Sequence, residues 1–211
     1  MAVAATESVP LAPRLERAFE VSSVVPLGAW ALLHVLDQGR VLFGAAEIGA
    51  RRHPGAFTLA LEALFVWAPL VFHAGLGAAI YAKRRRAREA APSRRALLAV
   101  HRASGLVALA FLADHFVRFR WPVLEGRAYP ADAVQRLALE LSRTSGGAPL
   151  VAAFHLAGVL AIALHLSVGL TRLVERSERY RGSRPLVHAA VAAGVVTGVV
   201  GVLSILELAA G

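Results

Sequence analysis

Four of the eight histidines in this chain, His34, His73, His115 and His165, lie well inside apolar stretches. His73 stands in the middle of LEALFVWAPLVFHAGLGAAIYAKRRRAR, with a block of Lys and Arg close behind it. An imidazole offers one N–H donor and one bare acceptor nitrogen when neutral. Leaving such groups unpaired in an apolar medium is costly, so each ring needs a partner. Imidazole is also the commonest metal ligand. The chain has no cysteine, which excludes disulfides, thiolate metal sites and cysteine-held iron–sulfur clusters.

The elements that must position these histidines follow from hydropathy. Of the 211 residues 57% are hydrophobic, too apolar for an ordinary soluble domain and consistent with one membrane unit. Five segments have the length and apolar character of membrane helices, near 20–43, 57–82, 96–119, 149–173 and 186–208. The expected fold is therefore an all-α integral membrane protein, a five-transmembrane-helix bundle, as a single domain over 1–211. The first segment is the weakest, because Asp37, Gln38 and Arg40 interrupt it. Gly and Ala recur in all five, as close packing in lipid favours.

Charge then orients the bundle. With the N-terminus inside, the inner segments hold 15 basic residues and the outer ones 8, so the positive-inside rule places the N-terminus in the cytoplasm and the C-terminus outside. The net charge of +9 reflects this topology and not nucleic-acid binding, since the basic residues sit between apolar runs without interleaved aromatics. The first 23 residues lack a basic region followed by an apolar core and cleavage site, so they read as retained and not as a signal peptide. ADAVQRLALELS, within the longest loop (118–148), has helical periodicity and is expected to lie along the outer surface. The abundance of Arg and Ala suggests a bacterial protein.

Depth sorts the four buried histidines into two levels. His73 and His165 each lie 16 residues past the outer start of their helices, at Phe57 and Pro149. A rise of about 1.5 Å per residue puts both roughly 24 Å below the outer boundary. His34 lies three residues before Asp37 and His115 three before Arg118, which puts both only about 5 Å inside it. The levels are thus roughly 15–20 Å apart. Two pairs of imidazoles at two depths suit two b-type haems with bis-histidine ligation, stacked across the membrane for one-electron transfer. Glycine follows His73 and His165 four residues on, in HAGLG and HLSVG, where a flat macrocycle could approach the same helix face. The alternative is that each imidazole is a packed polar residue hydrogen-bonded across helices.

His101, in HRASG, falls on the same face of its helix as His115 and could meet a haem propionate; a solvated helix start explains it equally well. His155, six residues into the fourth helix, rivals His34 or His115 as an outer ligand. His53 and His188 read most simply as loop or helix-end residues.

These motifs in order, SVVPLGAWALLH, PLVFHAGLGAAIY, HRASGLVALAFLADH and ALHLSVGL, resemble the di-haem cytochrome b anchor subunit of succinate dehydrogenase and fumarate reductase in its single-polypeptide, five-helix form. The resemblance covers nearly the whole chain. It implies that His73 and His165 hold an inner haem b and that His34 and His115 hold an outer one. It implies a flavoprotein and an iron–sulfur subunit docked at the cytoplasmic face of a bacterial cytoplasmic membrane, and menaquinone as the substrate near the outer haem. Some fumarate reductase members carry a glutamate two residues before the helix-four ligand, where this chain has Ala163. That departure tilts the expectation towards succinate oxidation.

No succinate site is expected in this chain, because the flavin-binding glycine pattern and the cluster cysteines are both missing. Arg102 and Ser104, with His101, are candidates for the inner propionates; Arg118 and Arg120 are the outer equivalents. Arg84, Arg85 and Arg86 could face a partner or a propionate, but the positive-inside signal accounts for them. Glu47, Glu62 and Asp114 are candidates for proton exchange with a quinone. Two other readings stand: a di-haem anchor of a hydrogenase or formate dehydrogenase, and a haem-free membrane transport or assembly protein.

Overall fold

The computed structural model describes residues 22–44, 52–84 and 92–210, together with Ala18. Glu47, Arg85, Arg86 and most of the N-terminal segment lie outside the described residues. Among the described residues every regular element is helical. Four helices are long and apolar enough to cross a membrane: Ala56–Ile80, Ala96–Leu124, Leu150–Arg176 and Arg184–Ala210. Large apolar side chains on them stand exposed, Val71 at 72% and Leu106 at 68% among them. Apolar surface facing outward along helices of this length is the pattern of a multi-pass membrane protein.

Helix α1 is Ala29–Gln38, entered through a wide turn at Ser23–Gly28 and left through a tight one at Gly39–Phe43. Helix α2 combines Ala56–Glu62, a wide turn Ala63–Trp67 and Ala68–Arg84. Helix α3 runs Pro92–His115, then through Phe116–Arg120 into Trp121–Leu124. The short α4 is Ala133–Leu141, and α5 and α6 are Leu150–Arg176 and Arg184–Ala210. The first of the five expected membrane segments is therefore described as a ten-residue α-helix flanked by two irregular turns.

Each wide turn has a proline in it or just after it. Pro26 lies within the first, Pro69 follows the second and Pro122 follows the third. Proline has no N–H to return to the carbonyl four residues back and its ring crowds that carbonyl, so the helix opens there. The opening at Pro122 is repaired from outside, because that proline cannot donate to the Arg118 carbonyl. Instead Arg136 of α4 donates to the carbonyl oxygens of Arg118 and Phe119, at 3.5 and 3.3 Å.

Small residues bring α3, α5 and α6 together. A Cβ built on Gly194 would lie 2.5 Å from the Ser167 Cβ and 2.7 Å from the Ala163 carbonyl oxygen, and one on Gly201 2.5 Å from the Val159 side chain. Between α3 and α5, Gly158 admits the ring of Phe111 and Gly105 admits that of His165. Thr197 and Ser204 are buried in the α5–α6 seam and donate to carbonyls one turn back, Ala193 and Val200, at 2.8 Å each. Their polar atoms are thus satisfied without crossing the seam. The amphipathic α4 does not lie free on the surface. It buries Val134 against Val41 and Leu208, and Leu141 against Ala152 and Ile205, closing that end of the bundle.

Helices α1 and α2 are attached differently. Helix α1 leans on α6, where Gly39 meets Val200; its entry turn Ser23–Gly28 touches α2, but Ala29–Gln38 itself packs closely against neither α2 nor α3. The Ala68–Arg84 stretch of α2 packs closely against neither α3 nor α5. Interhelical gaps therefore separate α2 from α5 and α1 from α3.

The seam gives a graded test. Gly194→Ala forces the α5–α6 backbones apart and should destabilise the protein by about 1–3 kcal/mol. Gly198→Ala, one turn on, meets only the Ala163 Cβ at 3.3 Å and should cost distinctly less. Thermal unfolding in detergent checks the ranking; equal losses would show that the seam is not a close contact.

Candidate functional site

The four buried histidines meet two by two across those gaps. His73 of α2 faces His165 of α5, with ring centroids 6.1 Å apart and planes at 83°. His34 of α1 faces His115 of α3, with centroids 6.2 Å apart and planes at 79°. A direct N–H···N bond of about 2.9 Å, with each nitrogen about 1 Å from its ring centroid, would hold the centroids about 5 Å apart. Two imidazoles bound to one metal ion from opposite sides, each through a bond of about 2 Å, would hold them about 6 Å apart. Both pairs have the second spacing. Among the described residues no three of His, Asp and Glu gather around one point as protein-only metal sites require. The donor set is two imidazoles per level, which fits a metal whose remaining positions are filled by a flat macrocycle.

The surroundings of each ring are built from the sequence. His165 Nδ1 donates to the His101 carbonyl oxygen at 3.0 Å, which fixes that proton on Nδ1 and leaves Nε2 bare, the form in which histidine binds a metal. The His101 ring stacks on His165 at 4.1 Å between centroids, the two planes nearly parallel at 3°. A Cβ at Gly105 would stand 2.8 Å from Cε1 of His165, so only glycine lets the ring sit there. Gly169, the glycine of HLSVG, faces His101. At the other level Trp30 stacks on His34 at 4.9 Å and 9°, one turn earlier on α1. Phe111 and Phe119 flank His115 at 5.6 and 4.9 Å. His155 is 2% exposed and lies 6.5 Å from His115, close to the spacing His34 has on the other partnership.

The remaining sequence candidates sort by their contacts. Ser104 is buried and donates to the His101 carbonyl at 3.0 Å, joining His165 on one acceptor. Arg102 is half-buried beside it in sequence. Arg118 makes a two-pronged contact from Nε to Asp114, at 2.8 and 2.9 Å, and reaches Glu140 at 3.3 Å. Arg120 pairs with Glu62, its Nε 2.7 Å from Oε1, and the Trp67 indole N–H donates to the same carboxylate at 2.9 Å. Two of the outer propionate candidates are thus paired with two of the quinone candidates. These pairs tie α2 and α4 to α3 at one end of the bundle, where a pocket of 310 Å³ opens between Arg118, Glu140, Arg143 and Val151.

Sequence reasoning did not find the Trp30 stack, the Glu62–Arg120–Trp67 cluster or the role of Arg136. The spacing of Trp30 and His34, one helical turn, was the available signal for the first. The other two depend on tertiary contacts across 58 and 18 residues of chain.

No family model, curated protein or solved structure matches the chain.

Proposed function

We propose that this chain is the cytochrome b membrane anchor of a succinate dehydrogenase or fumarate reductase, passing electrons between an iron–sulfur subunit and menaquinone through two b-type haems. One observation carries the reading: two imidazole pairs, 6.1 and 6.2 Å apart, each reaching across helices that stand apart. On this reading α1 is the core of a fifth membrane crossing, the N-terminus is cytoplasmic, and a flavoprotein and the iron–sulfur protein dock on the cytoplasmic face of a bacterial inner membrane. The resemblance of the four histidine motifs supplies the choice of partners.

A haem held between two of these imidazoles would supply one-electron transfer chemistry. The chain supplies the rest. His73 and His165 would hold the inner group and His34 and His115 the outer one. The His101 carbonyl keeps the His165 Nε2 lone pair directed outward, and Gly105 makes room for the ring. Arg102 and His101 are the candidates for meeting the inner propionates. At the outer end Glu62 and Asp114 are each held by an arginine.

Purified protein should contain two acid–acetone-extractable haems per chain, since no cysteine exists for thioether attachment. His73→Ala and His165→Ala should share one spectral defect and His34→Ala and His115→Ala another, in a redox difference spectrum with haem stoichiometry. A defect shared by His73→Ala and His115→Ala would refute the two-level arrangement. Pigment-free protein would support a transport or assembly role.

Gly105→Ala places a methyl 2.8 Å from His165 Cε1 and should make the inner haem high-spin or lose it, while the outer one stays low-spin. A normal spectrum would remove the His165 slot from the argument. The assembly claim is separate: gentle purification should bring down a flavoprotein and an iron–sulfur subunit, and succinate should reduce the haems. Haem that formate or hydrogen reduces, and succinate does not, would point to the corresponding anchor instead.

A further inference from the structure

At the His34–His115 level two buried nitrogens have no hydrogen-bond partner among the described residues: Nδ1 of His115 and Nε2 of His155. A buried polar group left unpaired is costly, so each calls for a partner. His155 is walled by Phe111, Phe119 and Phe154, with centroids 5.4, 6.2 and 6.1 Å away. Its Nδ1 lies 3.0 Å from the Val151 carbonyl oxygen. A carbonyl only accepts, so the His155 proton is on Nδ1 and its Nε2 is a bare acceptor. A His115 that ligates through Nε2 carries its own proton on Nδ1, a donor. The two orphans are therefore complementary.

With centroids 6.5 Å apart, nitrogens about 1 Å off each centroid lie about 4 Å apart when they face each other. That is too long for a direct bond and matches the span of one water bonded to both at about 2.9 Å. We propose that His155 is the positioning residue of His115: its Nε2 accepts, through one buried water, the Nδ1 proton of His115. The inner level does the same work directly, His165 Nδ1 donating to the His101 carbonyl. The inference rests on the reading of His115 as an iron ligand and gives His155 a role other than ligation. Donation from Nδ1 makes an imidazole a stronger electron donor to the metal, which favours the ferric state.

The test uses the intact complex with His155→Leu and His155→Gln, the glutamine restoring an acceptor oxygen. Haem stoichiometry, redox titration and ¹⁵N NMR of histidine-labelled protein in the reduced, diamagnetic state are the readouts. His155→Leu should keep two low-spin haems, raise the potential of the outer one only, and shift the His115 Nδ1 resonance; His155→Gln should return both towards wild type. Loss of the outer haem in His155→Leu, matching His115→Ala, would overturn the proposal by making His155 a ligand. Unchanged potentials, or a glutamine variant no different from the leucine one, would overturn it as well. Should His155→Leu fail to fold, His155→Gln decides: a wild-type potential and Nδ1 resonance support the bridge, and a raised potential overturns it. A wild-type protein without haem would refute the proposed function alone. The Nδ1 resonance then decides the bridge, which stands if His155→Leu moves it and falls if it does not.

Discussion

The bundle depends on how far apart two imidazoles stand when they meet in an apolar medium. Rings that satisfy each other directly draw their helices together, and small residues on either side then close the seam. The opposite has happened here. The helix pairs bearing facing histidines are those that do not pack closely, while α3, α5 and α6, whose seams are lined with glycine, do. Close packing of the latter three fixes His115 and His165 on a rigid frame. Helix α1, resting on α6, and helix α2 bring His34 and His73 up to His115 and His165 across gaps from α3 and α5. A bound group that spans each gap would therefore contribute to holding α1 and α2 in place, and its loss would loosen those two helices first.

A group of ion pairs gathers at one end of this arrangement. Glu62, Arg120 and Trp67 form a part-buried cluster, and Asp114, Arg118, Glu140 and Arg143 a more exposed one. Both lie where α2, α3 and α4 meet. Exposed pairs of this kind contribute little, about 0–1 kcal/mol each. The Glu62–Arg120 contact is the more consequential one. It is shielded, two-pronged and joined by an indole N–H, and removing one partner would leave the other charge unpaired near the membrane boundary. With the Trp67–Phe116 edge contact at 4.7 Å it ties α2 to α3. Its effect is thus to set the height of α2, and through it the height of His73.

Much of this was legible in the residues. Apolar runs of membrane length gave the four long helices to within a few residues at most ends, because hydropathy and proline mark them unambiguously. Counting residues from the helix ends put His73 level with His165 and His34 level with His115, since a straight helix converts sequence distance into depth. The first segment was less legible, as Pro26, Asp37 and Arg40 break it into pieces that neither length nor hydropathy resolves. The ion pairs were not legible either. Arg118 and Arg120 stand two residues apart and look alike in sequence, but the wide turn at Phe116–Arg120 points one at α4 and the other at α2. Which cation meets which carboxylate is decided by that turn and not by composition.

Pro122 links this turn to the histidines. By withholding an N–H from the Arg118 carbonyl it opens α3 one turn beyond His115, and Arg136 fills the opening from α4. The same guanidinium lies over the Phe119 ring, 5.9 Å from its centroid, a favourable cation–π distance. Phe119 in turn packs on both His115 and His155. The chain of contact runs from a surface helix through one arginine and one phenylalanine to two imidazoles at the same depth. A helix that sequence periodicity alone would leave on the membrane surface is instead the outer wall of the His34–His115 level, and the proline that interrupts α3 is the reason it can be.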